Sequence, residues 1–202
     1  MNAFALAHWR RSVAELYAEV REPAQDRRAQ CEAFREARDE LFRAHAESPI
    51  AAHLRSAWPG VQWFPYDPAA RVDASIEPAA ERTTFKIALA ADGALRCTRV
   101  GVAHFVIAQR RASLALYWLE GYGGGLWLPF ADATTGVVTY GGGRYLYDTI
   151  KGADLGVDET SIVLDFNYAY HPSCAYDERW SCPLAPAENR LDFAVEAGER
   201  LA

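Results

Sequence analysis

The sequence predicts an α+β fold that is mainly β, an antiparallel sandwich or barrel-like sheet preceded by two to three N-terminal helices. Three observations predict it. Apolar side chains near the N-terminus repeat at helical spacing. From about residue 71 they alternate with polar ones at the two-residue period of a strand. Several later strands are apolar on both faces, which a single sheet open to water on one side cannot accommodate. The chain of 202 residues suits one unit with a real core. Residues 1–60 are expected as a helical arm and 61–202 as a β-rich domain, the two packed together.

Trp9, Val13, Leu16 and Val20 fall at steps of four, three and four, on one face of a helix from Phe4 to Val20; Arg10, Arg11, Glu15 and Glu19 take the other face. Pro23 interrupts the pattern. A second helix is expected up to about Ala46, with Phe34, Leu41, Phe42 and His45 on its apolar side. Ser48-Pro49 signals a third start, because the serine can cap free amides and proline fits the first helical position; Trp58-Pro59-Gly60 would end it.

Beyond Gly60 the period becomes two. Val72, Ala74 and Ile76 alternate with charged or small polar residues, Phe85, Ile87 and Leu89 repeat the rhythm, and Asp92-Gly93 supplies a hairpin turn. Strands over 95–100, 102–108 and 113–119 follow at short intervals, so the middle of the chain reads as an antiparallel meander. Leu114-Ala115-Leu116-Tyr117-Trp118-Leu119 has no wet face and must be covered on both sides. Further strands are expected at 126–130, 137–140, 144–147, 161–166 and 190–196.

Composition narrows the function. Half of the residues are hydrophobic, enough to offset chain entropy and exclude disorder. The net charge of −6 argues against a nucleic-acid partner, whose phosphates would call for a basic stripe. No run of ~18 apolar residues is present, so no membrane span is expected. The N-terminus does not read as an export signal, and Cys31, Cys97, Cys174 and Cys182 are expected as reduced thiols in a cytoplasmic protein; the turns at Pro172 and Pro183 would set Cys174 and Cys182 side by side, and a disulfide between them is the second reading.

The last third of the chain is dense in special-geometry and polar residues. It contains Thr139-Tyr140-Gly141-Gly142-Gly143-Arg144-Tyr145, the segment DFNYAYHPSC from Asp165 to Cys174, CPLAPAENRL from Cys182 to Leu191, and Ala197-Gly198-Glu199. In this order and at these loop distances the motifs resemble an uncharacterised bacterial family, the domain of unknown function 1684. The resemblance extends more weakly to the Arg-rich helix from Phe34 to Phe42. It implies that the C-terminal motifs form one core, and it carries no activity, cofactor or catalytic residue.

The glycine trios 123–125 and 141–143 are expected as tight turns and bulges. A P-loop would need lysine where Gly142 stands and a helix after it, and a dinucleotide fingerprint would need a strand-to-helix turn. Arg144 is the focus of the polar residues. A buried guanidinium needs an acceptor, and Asp132, Asp165 and Glu188 are the candidates. Either it holds a structural ion pair, or it anchors the anionic group of a small ligand. His171, Cys174 and Cys182 contain no Cys-x-x-Cys pair and lack a clear fourth ligand, so no metal and no cofactor is expected.

Three functional readings compete. The first is a binding protein for a small polar or anionic molecule in a pocket lined by C-terminal loops. Arg144 would take the anion, with Asn167, Asn189, Asp132, Asp165 and Arg190 supplying polar contacts and Tyr140 and Tyr170 supplying aromatic walls. The second is a hydrolase or lyase using Asp132 or Asp165 as base in that pocket. In the third, the N-terminal helices bury their apolar stripe on a partner or in a homodimer.

Overall fold

The computed structural model of the protein describes residues 2–89 and 93–202. Helix α1 (Ala3–Arg21) begins where the Asn2 side chain accepts from the amides of Phe4 and Ala5, at 3.0 and 3.3 Å. Helix α2 (Arg27–Ala44) is capped by Asp26, which accepts from the Ala29 amide at 3.0 Å. Pro23 lies in the link between them, as the sequence predicts. The third helical stretch is a 3-10 helix (Ala52–Ala57) that starts four residues after Ser48 and ends before Trp58-Pro59-Gly60. The Ser48 hydroxyl donates back to the Phe42 carbonyl and accepts from the Ile50 amide at 3.1 Å. It therefore closes the end of α2 instead of capping the 3-10 helix.

The strands are β1 (Gln62–Trp63), β2 (Arg71–Leu89), β3 (Gly93–Ile107), β4 (Arg110–Leu119), β5 (Gly125–Phe130), β6 (Arg144–Asp148), β7 (Ser161–Asp165) and β8 (Glu199–Arg200). Six of them form one antiparallel sheet in the order β6-β5-β4-β3-β2-β7, and β1 pairs with β8 apart from it. The sheet curls into a half-barrel, the barrel-like form of the expected architecture. The meander is therefore present, but the expected short strands at 71–77 and 85–89 are one long strand, as are those at 95–100 and 102–108. A bulge between Arg99 and Gly101 bends the second of these. A Cβ at Gly101 would lie 2.9 Å from the Glu77 carbonyl oxygen, so glycine lets the two long strands approach at the bend. The Asp92-Gly93 turn reaches outside the described residues at Asp92.

Two expected strands are absent. Over 137–140 the amides of Val137, Val138 and Thr139 all point to the Thr134 carbonyl, which makes a compact turn. Over 190–196 only Arg190 pairs in strand fashion, with Ala131. In the rest of that segment the Phe193 carbonyl accepts from the Ala133 amide, and the Val195 carbonyl accepts from a side chain described below.

β4 is covered on both faces, as its composition requires, except at Trp118, which stays 40% exposed. Leu114 and Leu116 face a core shared with Ala103, Phe105, Leu128 and Phe130, whereas Ala115, Tyr117 and Leu119 face a second cluster with Cys97, Trp127 and Tyr145. The helical arm closes the first core: Val13, Tyr17, Val20, Cys31 and Phe34 are buried in it. Phe34 stands edge-on to Tyr17 and Tyr168, at 5.2 and 4.9 Å between ring centroids. The stripe expected to seek a partner is thus packed against the protein's own sheet.

Since Phe34 joins both helices to the sheet, Phe34→Ala is expected to lower the unfolding free energy by about 3–5 kcal/mol. Urea denaturation checks this, and a loss below ~1 kcal/mol would mean the arm is only loosely attached.

Candidate functional site

Arg144 opens β6 directly after Gly143, whose φ of 86° and close approach to the Phe130 carbonyl both require glycine. The guanidinium is 1% exposed. One terminal nitrogen donates to the carbonyls of Ala197 and Glu199, the latter at 3.2 Å; the other donates to Asp132 Oδ2 and to the Val195 carbonyl, both at 2.8 Å. Asp132 Oδ2 also accepts from the Val195 amide at 3.0 Å, and its Oδ1 from the Thr134 amide at 2.9 Å. The pair acts as a clamp on residues 195–199, serving backbone groups that would otherwise need a strand partner.

The other expected site residues are similarly engaged. Asn167 accepts from the Asp67 amide at 2.9 Å and donates to the Asp67 carbonyl at 2.8 Å, pinning the loop that enters β2. Asn189 exchanges hydrogen bonds with the Ala115 backbone at 2.8 and 2.9 Å and donates to Pro129 at 2.7 Å, so it fastens the C-terminal segment over β4 and β5. Asp165 accepts from the Asn167 amide and side chain, at 3.1 and 2.9 Å, and burial raises its pKa. Arg190 is exposed on a separate surface hollow beside Gly141 and Leu184. Arg144, the two aspartates and the two asparagines therefore do not converge on a common hollow; their polar atoms face backbone. Asp132 and Asp165, the bases of the hydrolase reading, are held in the same internal networks.

A different polar cluster surrounds a crevice between the arm and the C-terminal loops. Phe34, Arg38 and Phe42 fall at steps of four on the buried stripe of α2, so Arg38 is carried inward with the aromatics. Its Nε donates to Glu199 Oε1 at 2.8 Å, joining residues 161 apart in the chain. Glu199 is fully buried; its Oε2 accepts from the His171 amide at 2.6 Å and from the Tyr176 hydroxyl. Gly198 allows this entry: at φ 80° a Cβ would sit 2.5 Å from the Ala169 carbonyl oxygen. His171 Nε2 accepts from the Tyr140 amide at 3.2 Å, which places the ring proton on Nδ1. Burial depresses the pKa of His171 to about 4, despite the opposing pull of Glu199.

This cluster forms the wall of an inner cavity of about 40 Å³, lined also by Trp9, Tyr17, Tyr170 and Lys151. An outer cavity of about 150 Å³ shares Trp9, Lys151 and Ser173 with it and adds Arg10, Glu47, Trp180 and Cys182. The Tyr17 hydroxyl is buried and has no hydrogen-bond partner. Half-exposed Lys151 sits 3.1 Å from Asp148 Oδ2, which raises the lysine pKa. Of the expected site residues, only Tyr170 lines the crevice, while Tyr140 lies one layer away through its contact with His171. Arg38 and Glu199 escaped the sequence reading. A charged residue spaced four from Phe34 and four from Phe42 was the available signal for the first, and the Gly-Glu step at 198–199 for the second.

Residues 56–200 match the family model for a protein of unknown function (DUF1684), and the chain belongs to that family. It is also similar to the solution NMR structure of an uncharacterised protein from Haloarcula marismortui. The two are 34% identical, with a TM-score of 0.63 over 86% of this chain and 93% of that one. No curated protein matches the chain.

Arg144→Met leaves the Asp132 carboxylate buried without its cation, and the expected loss of stability is about 3–5 kcal/mol. Chemical denaturation measures it; an unchanged midpoint would remove the clamp. His171 gives a pH dependence. Unfolded, it takes up a proton near its ordinary pKa of ~6.5, whereas the folded ring does so only near 4. Its contribution is fully present above pH ~6.5 and is lost as pH falls from there toward 4, by up to about 3 kcal/mol. The unfolding free energy of His171→Asn should fall less steeply than that of the natural chain across this window.

Proposed function

We propose that the protein binds a small polar molecule with an anionic or acceptor head, a carboxylate being the simplest case, in the crevice between the helical arm and the 170–182 loop. One observation carries the reading: Tyr17 is among the residues that line the cavity, and its buried hydroxyl has no hydrogen-bond partner among the described residues. A buried hydroxyl without a partner costs about 1–3 kcal/mol, so its natural complement is an acceptor delivered into the cavity. The inner space of about 40 Å³ exceeds the ~10–15 Å³ that one water needs, and suits a head group of a few atoms. Lys151 and Arg10 at the outer cavity supply positive charge along the way in, and aromatic rings form the walls. The free, half-buried thiols of Cys174 and Cys182 and the net charge of −6 fit a cytoplasmic protein with no nucleic-acid partner. Among the described residues no helix is long and apolar enough to cross a membrane.

Tyr17→Phe separates binding from scaffolding. Removing an unsatisfied hydroxyl should leave stability unchanged or raise it by up to ~1 kcal/mol. Acetate, pyruvate and benzoate titrated into the natural chain should shift the amide resonances of residues 170–176. Both Tyr17→Phe and Lys151→Met should weaken that response several-fold. A destabilised Tyr17→Phe, or identical titrations for all three chains, would overturn the reading.

A further inference from the structure

The two C-terminal cysteines form a reactive unit that the binding reading does not use. Cys174 follows the turn at Pro172 and Cys182 precedes Pro183, and these bends bring the two thiols side by side within hydrogen-bonding reach. Both are free and only half buried, and Cys182 lines the outer cavity next to Lys151. The Tyr140 hydroxyl lies 3.6 Å from Cys174 Sγ and donates to it. The other two cysteines, Cys31 and Cys97, are completely buried in separate cores.

We propose that Cys174 and Cys182 are a hydroperoxide-reactive dithiol, Cys174 making the attack and Cys182 resolving it into a disulfide. In the first step the Cys174 sulfur attacks one peroxide oxygen. The S–O bond forms as the O–O bond breaks, the other oxygen leaves with a proton as an alcohol or water, and Cys174 becomes a sulfenic acid. In the second, Cys182 sulfur attacks Cys174 sulfur, the S–O bond breaks, and the departing hydroxide takes the Cys182 proton as water. Two thiols are oxidised by two electrons and one hydroperoxide is reduced.

The surroundings divide the labour in that direction. Hydrogen-bond donation from Cys182, and secondarily from Tyr140, outweighs burial and lowers the Cys174 pKa to about 6, so it is largely thiolate at neutral pH. The same contact, together with burial, raises that of Cys182, which stays protonated as the resolving partner. Burial lifts Cys31 to about 11 and Cys97 to about 12, which leaves both inert. The inference stands on the thiol pair alone and survives failure of the proposed ligand site.

The test is one equivalent of hydrogen peroxide added to the full reduced chain, followed by intact mass, thiol titration and peptide mapping. The expected result is a loss of two of the four thiols, with a disulfide mapped between 174 and 182. Cys182→Ser should stop at a sulfenic acid that dimedone captures, and Cys174→Ser should give neither product. The alkylation rate of Cys174 should rise with pH through a midpoint near 6, and Tyr140→Phe should move that midpoint upward. Four intact thiols after peroxide, oxidation at Cys31 or Cys97 first, or an alkylation midpoint above ~8 would overturn the proposal. Circular dichroism on each variant confirms that the fold is retained, and full loss of disulfide in a folded Cys174→Ser chain would distinguish chemistry from collapse.

Discussion

The segment from Val195 to Glu199 is held in the interior by two guanidinium groups, and the remaining architecture is arranged around that constraint. Arg144 takes three of its carbonyls from the sheet side, while Arg38 takes the Glu199 carboxylate from the helical side. The segment has no regular strand neighbour over most of its length, so without these donors its buried acceptors would go unserved. Buried charge of this kind is costly to desolvate, and it is tolerated here because Arg144 meets four acceptors at once, while Arg38 meets the Glu199 carboxylate and lies over the Phe42 and Tyr170 rings. The clamp also explains the glycines at 143 and 198, each placed where backbone must pass within contact distance of another carbonyl.

Fixing that segment creates the crevice as a by-product of geometry. Glu199 draws in the His171 amide and the Tyr176 hydroxyl, and the loop that carries them is thereby set at a fixed distance from α1 and α2. The arm cannot fill the gap completely, since Trp9 and Tyr17 approach from one side and Tyr170 and Tyr176 from the other. The loop that forms the outer wall also carries Cys174 and Cys182, so the proposed ligand site and the proposed dithiol share one short stretch of chain.

Much of the fold was legible in local pattern. The stripe from Trp9 to Val20 placed α1, the apolar faces of 114–119 required cover on both sides, and the alternation after residue 71 announced a meander. The readings that failed share a cause. Ser48-Pro49 carries a helix-start signature, but its hydroxyl was captured by the carbonyl at the end of the preceding helix, and the 3-10 helix starts at Ala52. Residues 190–196 alternate like a strand, yet the Val195 carbonyl is met by a side chain from β6 and the Phe193 carbonyl by the Ala133 amide. The polar residues chosen for the site were rightly read as special and wrongly placed together: Asn167 and Asn189 serve backbone at opposite parts of the sheet.

What the sequence determined by itself is the two N-terminal helices, the antiparallel meander and the apolar character of both faces of its central strand. Periodicity encodes these because each depends on neighbours within a turn of helix or a few residues of strand. Which charges are buried against each other, and which leave a vacancy, was decided by the tertiary structure alone. Arg38 and Glu199 lie 161 residues apart, and Arg144 and Ala197 lie 53 apart. No spacing rule reaches across such distances, because the partner of a buried donor is fixed by chain packing and not by the residues next to it.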